Sequence, residues 1–180
     1  MRQVSDAFLL NVAEVSATLI GLFLVGVFFY AETGFRRLAD GRDVVQPYFR
    51  AGTRIVLLLY ALPLFLSLTL VALGPVWNRV LFVLFSLLLL AANVDTLARI
   101  PAFTRVTRST AFLVNEAMGS AAVLAIVTVP WALGGLDPTR EDLTWAILLS
   151  FGAGFLSVGA LVLSVYDTDR YENGTRASPG

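Results

Sequence analysis

The sequence contains no cysteine and no histidine. Their absence excludes disulfides, thiol catalysis and thiolate metal sites, and it removes the commonest general base and the commonest transition-metal ligand. Carboxyl groups are the acid/base groups that remain for chemistry near neutral pH. The formal net charge is zero, so no global field attracts nucleic acid. We therefore predict no metal site, no bound cofactor and no nucleic-acid partner.

Lysine is missing as well, because all 13 basic residues are Arg. We interpret this bias as the composition of a GC-rich bacterial or archaeal genome rather than as part of a mechanism. The sequence also lacks a Gly-x-Ser-x-Gly elbow, a Gly-Lys-Ser/Thr phosphate loop and the paired aspartates of an intramembrane protease. We therefore predict that the protein is not an enzyme.

Long apolar blocks dominate what is present. Hydrophobic residues make up 57% of the chain, and the mean hydropathy of +0.78 is too high for a soluble domain of this size. About 20 helical residues cross about 30 Å of hydrocarbon, and lipid cannot satisfy an open backbone. We predict an all-α, polytopic transmembrane bundle with five spans, near 7–30, 51–73, 76–97, 111–133 and 143–166. The spans form a single transmembrane domain over 1–168, followed by a disordered cytoplasmic tail over 169–180.

Proline and glycine mark the ends and the weak points of these spans. Gly74-Pro75 predicts a very short turn, so that spans two and three form an antiparallel hairpin. Asp137-Pro138 predicts an N-cap followed by proline at the start of the fifth helix. Pro63 lies inside span two, where it removes a backbone donor and frees a carbonyl near Leu59.

The positions of the arginines predict an orientation. Ten of the 13 lie on one side of the five spans, in the first and third connections and in the tail. Because basic residues favour the cytoplasmic side, we predict an outside N-terminus and a cytoplasmic C-terminus. Trp77, Trp131 and Trp145 fall at the opposite interface, where aromatic belts form. The predicted location is the plasma membrane of a bacterial or archaeal cell, and the lipid bilayer is the predicted surrounding.

Two carboxyl groups lie well inside predicted spans, whereas Asp95 lies at the end of span three. A charge at the middle of a membrane helix costs roughly 2.5 to 3.5 kcal/mol on insertion scales, so it is kept where something compensates. Glu14 shares one helical stripe with Asn11 and Thr18. Glu116 stands beside Asn115 in span four. These five residues are the candidate pathway or polar-face residues.

Each carboxyl group has a functional and a structural interpretation. An intramembrane Glu can bind a cation, line a permeation path or carry a proton. It can also form a structural ion pair. The candidate partners are Arg79 for Glu14, and Arg54 or Arg99 for Glu116. Asp95 and Arg99 lie one turn apart in the favourable acid-first order, which predicts an interfacial salt bridge.

Two hypotheses for function follow from these residues. The first is an ion-permeation or small-solute or proton transport component, oligomeric because five short helices enclose little space, with Glu14 facing the pathway and Glu116 near its inner mouth. The second is a non-catalytic accessory or assembly subunit whose polar stripes pack against a partner membrane protein. Both hypotheses expect a homo-oligomer or a complex with another membrane protein.

Overall fold

In the computed structural model, the part of the chain that is described is helical, with short connections and no strands. The backbone is described over residues 4–37, 45–107, 110–135 and 137–176. Side chains are described over residues 4–29, 50–98, 114, 116–135, 137–159 and 161–162. The candidate residues Arg99 and Asn115 belong to helices, but their side chains lie outside the described set.

Five helices form the described fold: α1 Asp6–Arg37, α2 Val45–Ala72, α3 Pro75–Thr107, α4 Thr110–Gly134 and α5 Arg140–Arg176. Each contains a segment that is long and apolar enough to cross a membrane: Asp6–Phe29, Arg50–Ala72, Pro75–Ala98, Glu116–Gly134 and Arg140–Gly159. The predicted all-α fold class with five candidate spans is therefore confirmed by helix length and composition. The third span, whose ends are the richest in polar residues, is one continuous helix like the others.

Helix α2 occupies the centre of the arrangement. It packs against α1, α3 and α5, while α4 packs against α5 and α3. Within the described backbone, α1 packs closely against α2, and its first residue also reaches α5 through an ion pair between Asp6 and Arg140. The molecule therefore consists of a four-helix core, α2 to α5, and a peripheral α1.

The turn between α2 and α3 has the predicted form. Helix α2 ends at Ala72 and α3 begins at Pro75, and the Gly74 carbonyl accepts the backbone N–H groups of Trp77 and Asn78 at 3.1 and 3.4 Å. Proline suits the first helical position because the N–H it lacks would have no helical acceptor there. Helices α2 and α3 consequently form the predicted antiparallel hairpin.

The start of α5 differs from its prediction. The N-cap is Thr139 rather than Asp137: the Thr139 N–H donates to the Asp142 carboxylate at 2.8 Å, and the Asp142 N–H donates to the Thr139 hydroxyl at 3.4 Å. This reciprocal pair is a capping box with Asp in the acidic position. Asp137 instead forms an ion pair with Arg79, and Pro138 precedes the cap.

Helices α2 and α5 meet at a proline defect. Pro63 is buried inside α2 and cannot donate to the carbonyl of Leu59, and the Ser150 hydroxyl of α5 donates to that carbonyl instead. The predicted free carbonyl is thus confirmed, and α5 satisfies it. Nearby, the two helices approach so closely that a Cβ atom at Gly154 would lie 2.6 Å from Cε1 of Tyr60. Glycine at this position allows the contact.

The last helix also differs from the predicted disordered tail. It continues to Arg176, through residues 169–176, and residues 177–180 lie outside the described part of the chain. The sequence offers a physical reason, since Glu172 and Arg176 are spaced four residues apart in the acid-first order that favours helix. The next proline is Pro179, beyond the end of the helix.

Candidate functional site: two intramembrane carboxyl groups

Glu14 lies deep in the first span. It follows Asp6, the first residue of α1, by eight residues, which corresponds to about 12 Å along the helix axis. Leu9, Val12 and Ser16 are buried against the rest of the fold, whereas the Glu14 side chain is exposed. At 100° per residue, Glu14 points almost directly away from this buried face. The carboxyl group therefore lies on the outer surface of the bundle.

Asn11 and Thr18 are exposed beside Glu14, and we call these three residues the α1 polar stripe. The Thr18 hydroxyl donates to the Glu14 backbone carbonyl at 2.9 Å, which leaves the hydroxyl lone pairs facing outward. Further along α1, the exposed face becomes apolar, with Leu22 and Phe28 65% and 73% exposed. The polar stripe is thus confined to the first half of the span.

The ion pair that the sequence suggested between Glu14 and Arg79 is not formed. Arg79 pairs with Asp137, and the Glu14 carboxylate has no hydrogen bond or ion pair with any described residue. The reason is the packing order, because α1 lies beside α2 and not beside α3, which carries Arg79. The sequence could not exclude this pair, since both residues lie toward the same end of their helices.

Two ion pairs mark that end of the bundle, which we call the ion-pair end. Arg79 of α3 pairs with Asp137 in the connection between α4 and α5, and Arg140 at the start of α5 pairs with Asp6 at the start of α1. Both aspartate side chains are well exposed, at 74% and 64%. Each of these pairs joins two parts of the fold that are distant in sequence.

A small polar cavity lies toward the opposite end of the bundle, which we call the cavity end. Its volume is about 20 Å³, slightly more than the roughly 10 to 15 Å³ that a single water molecule needs. Four helices line this polar cavity: α2 with Gly52 and Ile55, α3 with Asn93 and Thr96, α4 with Glu116, Gly119 and Ser120, and α5 with Ser157. Seven of these eight residues are polar or glycine positions inside an apolar protein, so the cavity is a distinct site.

Hydrogen bonds connect part of this lining. The Ser120 hydroxyl of α4 donates to Oδ1 of Asn93 in α3 at 3.1 Å. The Thr96 hydroxyl donates to the Ala92 carbonyl one turn earlier at 2.9 Å. Asn93 and Thr96 are 5% and 4% exposed, and Glu116 is half-buried. The bond between Ser120 and Asn93 fixes the position of α4 against α3 at the cavity.

The predicted ion-pair partners of Glu116 were Arg54 and Arg99. Arg54 is exposed and forms no ion pair with the described residues, so the suggested pair between Glu116 and Arg54 is absent from them. Arg54 borders a separate surface groove together with Asp95. The pairs that involve Arg99 stay predictions because its side chain lies outside the described set, and the same holds for Asn115.

Glu116 was predicted from the sequence, whereas the polar residues that surround it were not. Asn93 and Thr96 are three residues apart, and Glu116 and Ser120 are four apart, so each pair shares one face of its helix. Such polar pairs inside apolar spans were the feature of the sequence from which these residues could have been predicted as candidates. Their convergence was not predictable, because it depends on how α3 and α4 are rotated against each other.

Within the described residues, no group of three or more Asp, Glu, His or Cys residues could hold a metal ion. No protein-family model matches the chain, and comparisons with curated proteins and with solved structures give no significant match. The two carboxyl groups and their surroundings are therefore the features of this chain that bear on its function.

Proposed function

We propose that this chain is a subunit of a membrane assembly that carries protons or small cations, with Glu14 lining the path where α1 meets another membrane-embedded surface. One observation carries the proposal. Glu14 lies about 12 Å inside the first span, on the face of α1 that points away from α2, and without a partner among the described residues. A polar stripe in that position needs a polar neighbour or water.

The chemistry of a carboxyl group supports this role. Hydrocarbon accepts the protonated form, whereas a polar protein surface or a water-filled space also accepts the ionised form. A carboxyl group that alternates between two such surroundings takes up and releases a proton. Asn11 and Thr18 add hydrogen-bonding groups one turn away on either side, so that a proton or a cation would meet three polar side chains in succession.

The test is proton or cation flux in liposomes that contain the purified protein. We expect Glu14→Gln to abolish the flux, because the amide keeps the size and polarity of the side chain but cannot ionise. Glu141→Gln is the matched control, since Glu141 lies in the first turn of α5 at the ion-pair end, and it should retain the flux. Flux that is unchanged in Glu14→Gln, or absent from the wild type, would show that the proposal is wrong.

A non-catalytic assembly role is the second candidate, and the peripheral packing of α1 favours it. In that case the α1 polar stripe holds a partner helix and conducts nothing. Glu14→Leu should then release the partner or dissociate the oligomer, as measured by crosslinking in native membranes, while Glu14→Gln retains the complex through its amide hydrogen bonds. The same two variants therefore separate docking from conduction.

We also propose that the ion-pair end faces outward and the cavity end faces the cytoplasm of a bacterial or archaeal cell, because ten of the 13 Arg fall in the first and third connections and in the tail of the sequence. The absence of native cysteine makes this orientation directly testable. A membrane-impermeant thiol reagent should label Ser5→Cys in intact cells and should label Ser178→Cys after lysis. The reverse pattern would contradict the orientation.

A further inference from the structure

A groove lies between α1 and α5, in the half of the bundle away from the ion-pair end. Both helices pack against α2, but within the described backbone they do not pack against each other. The ion pair between Asp6 and Arg140 joins their first turns, and the groove opens further along, between residues 19–27 of α1 and residues 155–162 of α5. It extends over about 12 Å, with α2 as its floor. We call it the α1–α5 groove.

The walls of this groove are apolar and partly aromatic. Among the described residues that line it, Tyr60 is the one with a polar side chain, and Phe23 and Phe155 contribute further aromatic rings. The rings of Tyr60 and Phe155 meet edge to face, with 6.1 Å between their centroids. Sites for small molecules have this composition, with apolar and aromatic walls and few polar groups.

The Tyr60 hydroxyl is the polar group of the groove. Tyr60 is 2% exposed, and its hydroxyl forms no hydrogen bond with any described residue. Among the described residues, the side-chain oxygens that are fully enclosed and unpaired belong to Ser67, Asn78 and Ser86. The Tyr60 hydroxyl is not one of them, so it keeps a small accessible surface, and that surface opens into the groove that Tyr60 lines. Buried phenol hydroxyls usually have a partner, so this donor needs an acceptor.

The position of Tyr60 restricts where the acceptor comes from. Tyr60 lies 15 residues after Val45 and 12 residues before Ala72, the two ends of α2, so about 18 to 23 Å of helix separate it from either end. The polar groups of phospholipids lie at the two surfaces of the roughly 30 Å hydrocarbon layer, and the chains between them offer no acceptor. The acceptor therefore belongs to a molecule that dissolves in the hydrocarbon itself.

The size of the groove also selects its occupant. Its volume of about 430 Å³ falls within the range of about 300 to 1,000 Å³ that small-molecule sites have. A membrane helix about 10 Å wide would fill roughly 900 Å³ over the same 12 Å, which is about twice the volume of the groove. A flat ring followed by a narrow apolar tail fits where a helix does not.

We propose that the α1–α5 groove binds an isoprenoid quinone. A quinone dissolves in hydrocarbon, its ring is flat, and its carbonyl oxygens accept hydrogen bonds. The Tyr60 hydroxyl donates to one carbonyl, the ring lies beside Phe23 and Phe155, and the isoprenoid tail leaves the groove toward lipid. Binding requires neither Glu14 nor transport, so it is tested separately from the proposed function.

The experiment is photocrosslinking of the full-length protein in phosphatidylcholine liposomes, with an azido derivative of ubiquinone that carries two isoprene units. We expect saturable labelling, which mass spectrometry assigns to peptides that contain residues 19–27 or 155–162. Unlabelled ubiquinone with the same tail should displace the probe, whereas geranylbenzene, which has the same tail on a ring without oxygen, should not. Labelling without saturation, or equal displacement by geranylbenzene, would overturn the proposal and leave an ordinary lipid contact.

A first pair of variants tests the hydrogen bond. Tyr60→Phe keeps the ring but removes the hydroxyl, so the probe concentration that gives half-maximal labelling should rise about tenfold, as the loss of one hydrogen bond predicts. Ser67→Ala is the matched control, because Ser67 is a buried, unpaired hydroxyl of the same helix outside the described lining of the groove, and it should leave that concentration unchanged. No rise in Tyr60→Phe, or an equal rise in both variants, would overturn the proposal.

A second pair of variants tests the location and leaves Tyr60 in place. Gly26 and Gly21 are both exposed on α1, and a Cβ atom at either would meet no atom within 4 Å. Gly26 lines the groove, whereas Gly21 is not part of its described lining. Gly26→Leu should fill the groove and abolish saturable labelling, and Gly21→Leu should retain it, with the unfolding temperature of both equal to that of the wild type. Saturable labelling that survives in Gly26→Leu would overturn the proposal.

Discussion

Glu14 and Glu116 are alike in sequence, since each is the one carboxyl group within its predicted span, 7–30 or 111–133, but the fold gives them opposite surroundings. Glu14 points outward from a helix that packs closely against one neighbour. Glu116 borders a cavity that four helices line together. The comparison teaches that the sequence predicts which polar side chains share one face of a helix. Whether that face points into the bundle or away from it depends on the helices that pack around it.

The same contrast decides where the role of each carboxyl group can be tested. Residues at the polar cavity have their neighbours within one chain, so their role is measurable on the isolated protein. The α1 polar stripe has no such neighbours among the described residues, so its role depends on a second membrane-embedded surface. Substitutions in the core should therefore change the stability of the purified chain, and substitutions on α1 should change what the chain does in a membrane.

The largest expected effect concerns the core itself. Gly154→Leu should lower the free energy of unfolding by about 3 kcal/mol, because its side chain would overlap the Tyr60 ring where α2 and α5 meet. Gly152→Leu is the matched control on the exposed face of the same helix, where a Cβ atom meets nothing within 4 Å. Unfolding in mixed micelles measures both. Equal losses of stability in the two variants would contradict the packing of this face of α5 in the core.

A direct test of the comparison replaces each carboxyl group with leucine in the purified chain. Glu116→Leu should destabilise the protein by about 2 kcal/mol, since it leaves polar groups of the cavity without their neighbour. Glu14→Leu should leave the stability of the isolated chain unchanged, because its side chain has no partner among the described residues. A loss at Glu14 as large as that at Glu116 would mean that Glu14 is paired within the chain, and the comparison would fail.

The smallest expected effect concerns the hydrogen bond between α2 and α5 at Pro63. Ser150→Ala should cost about 1 kcal/mol, as hydrogen bonds between membrane helices typically do. In a Pro63→Ala background the same change should cost less, because alanine restores a backbone donor to the Leu59 carbonyl. A double-mutant cycle by unfolding measures this coupling. Independent effects of the two substitutions would contradict the idea that Ser150 donates to the Leu59 carbonyl that Pro63 leaves without a backbone donor.

Local features of the fold were predictable because they depend on neighbours in sequence. Five apolar blocks predicted five helices, Gly74-Pro75 predicted the hairpin, and Pro63 predicted a free carbonyl at Leu59. The cap of α5 was predicted at Asp137 but lies at Thr139, because an ion pair with Arg79 occupies Asp137. That ion pair is a tertiary contact, which neighbours in sequence do not determine.

The candidate site was predictable only in part, for the same reason. Helical spacing placed Glu14 with Asn11 and Thr18, but it could not indicate that the stripe points away from α2. Glu116 was identified from its position in a span, whereas its neighbours Asn93 and Ser157 come from other helices. Nothing in a single sequence fixes the rotation of one helix against another, so the cavity emerged from the three-dimensional arrangement.

The bond between Ser150 and Leu59 has a consequence for the order of membrane insertion. The donor follows the acceptor by 91 residues, so α2 enters the bilayer long before α5 has been synthesised. During that interval the Leu59 carbonyl has no helical donor in a solvent that offers none. Helix α5 therefore supplies the hydrogen bond that the Leu59 carbonyl of α2 lacks. We expect that, in a nascent chain that stops before Ser150, α2 stays in contact with water or with the insertion machinery.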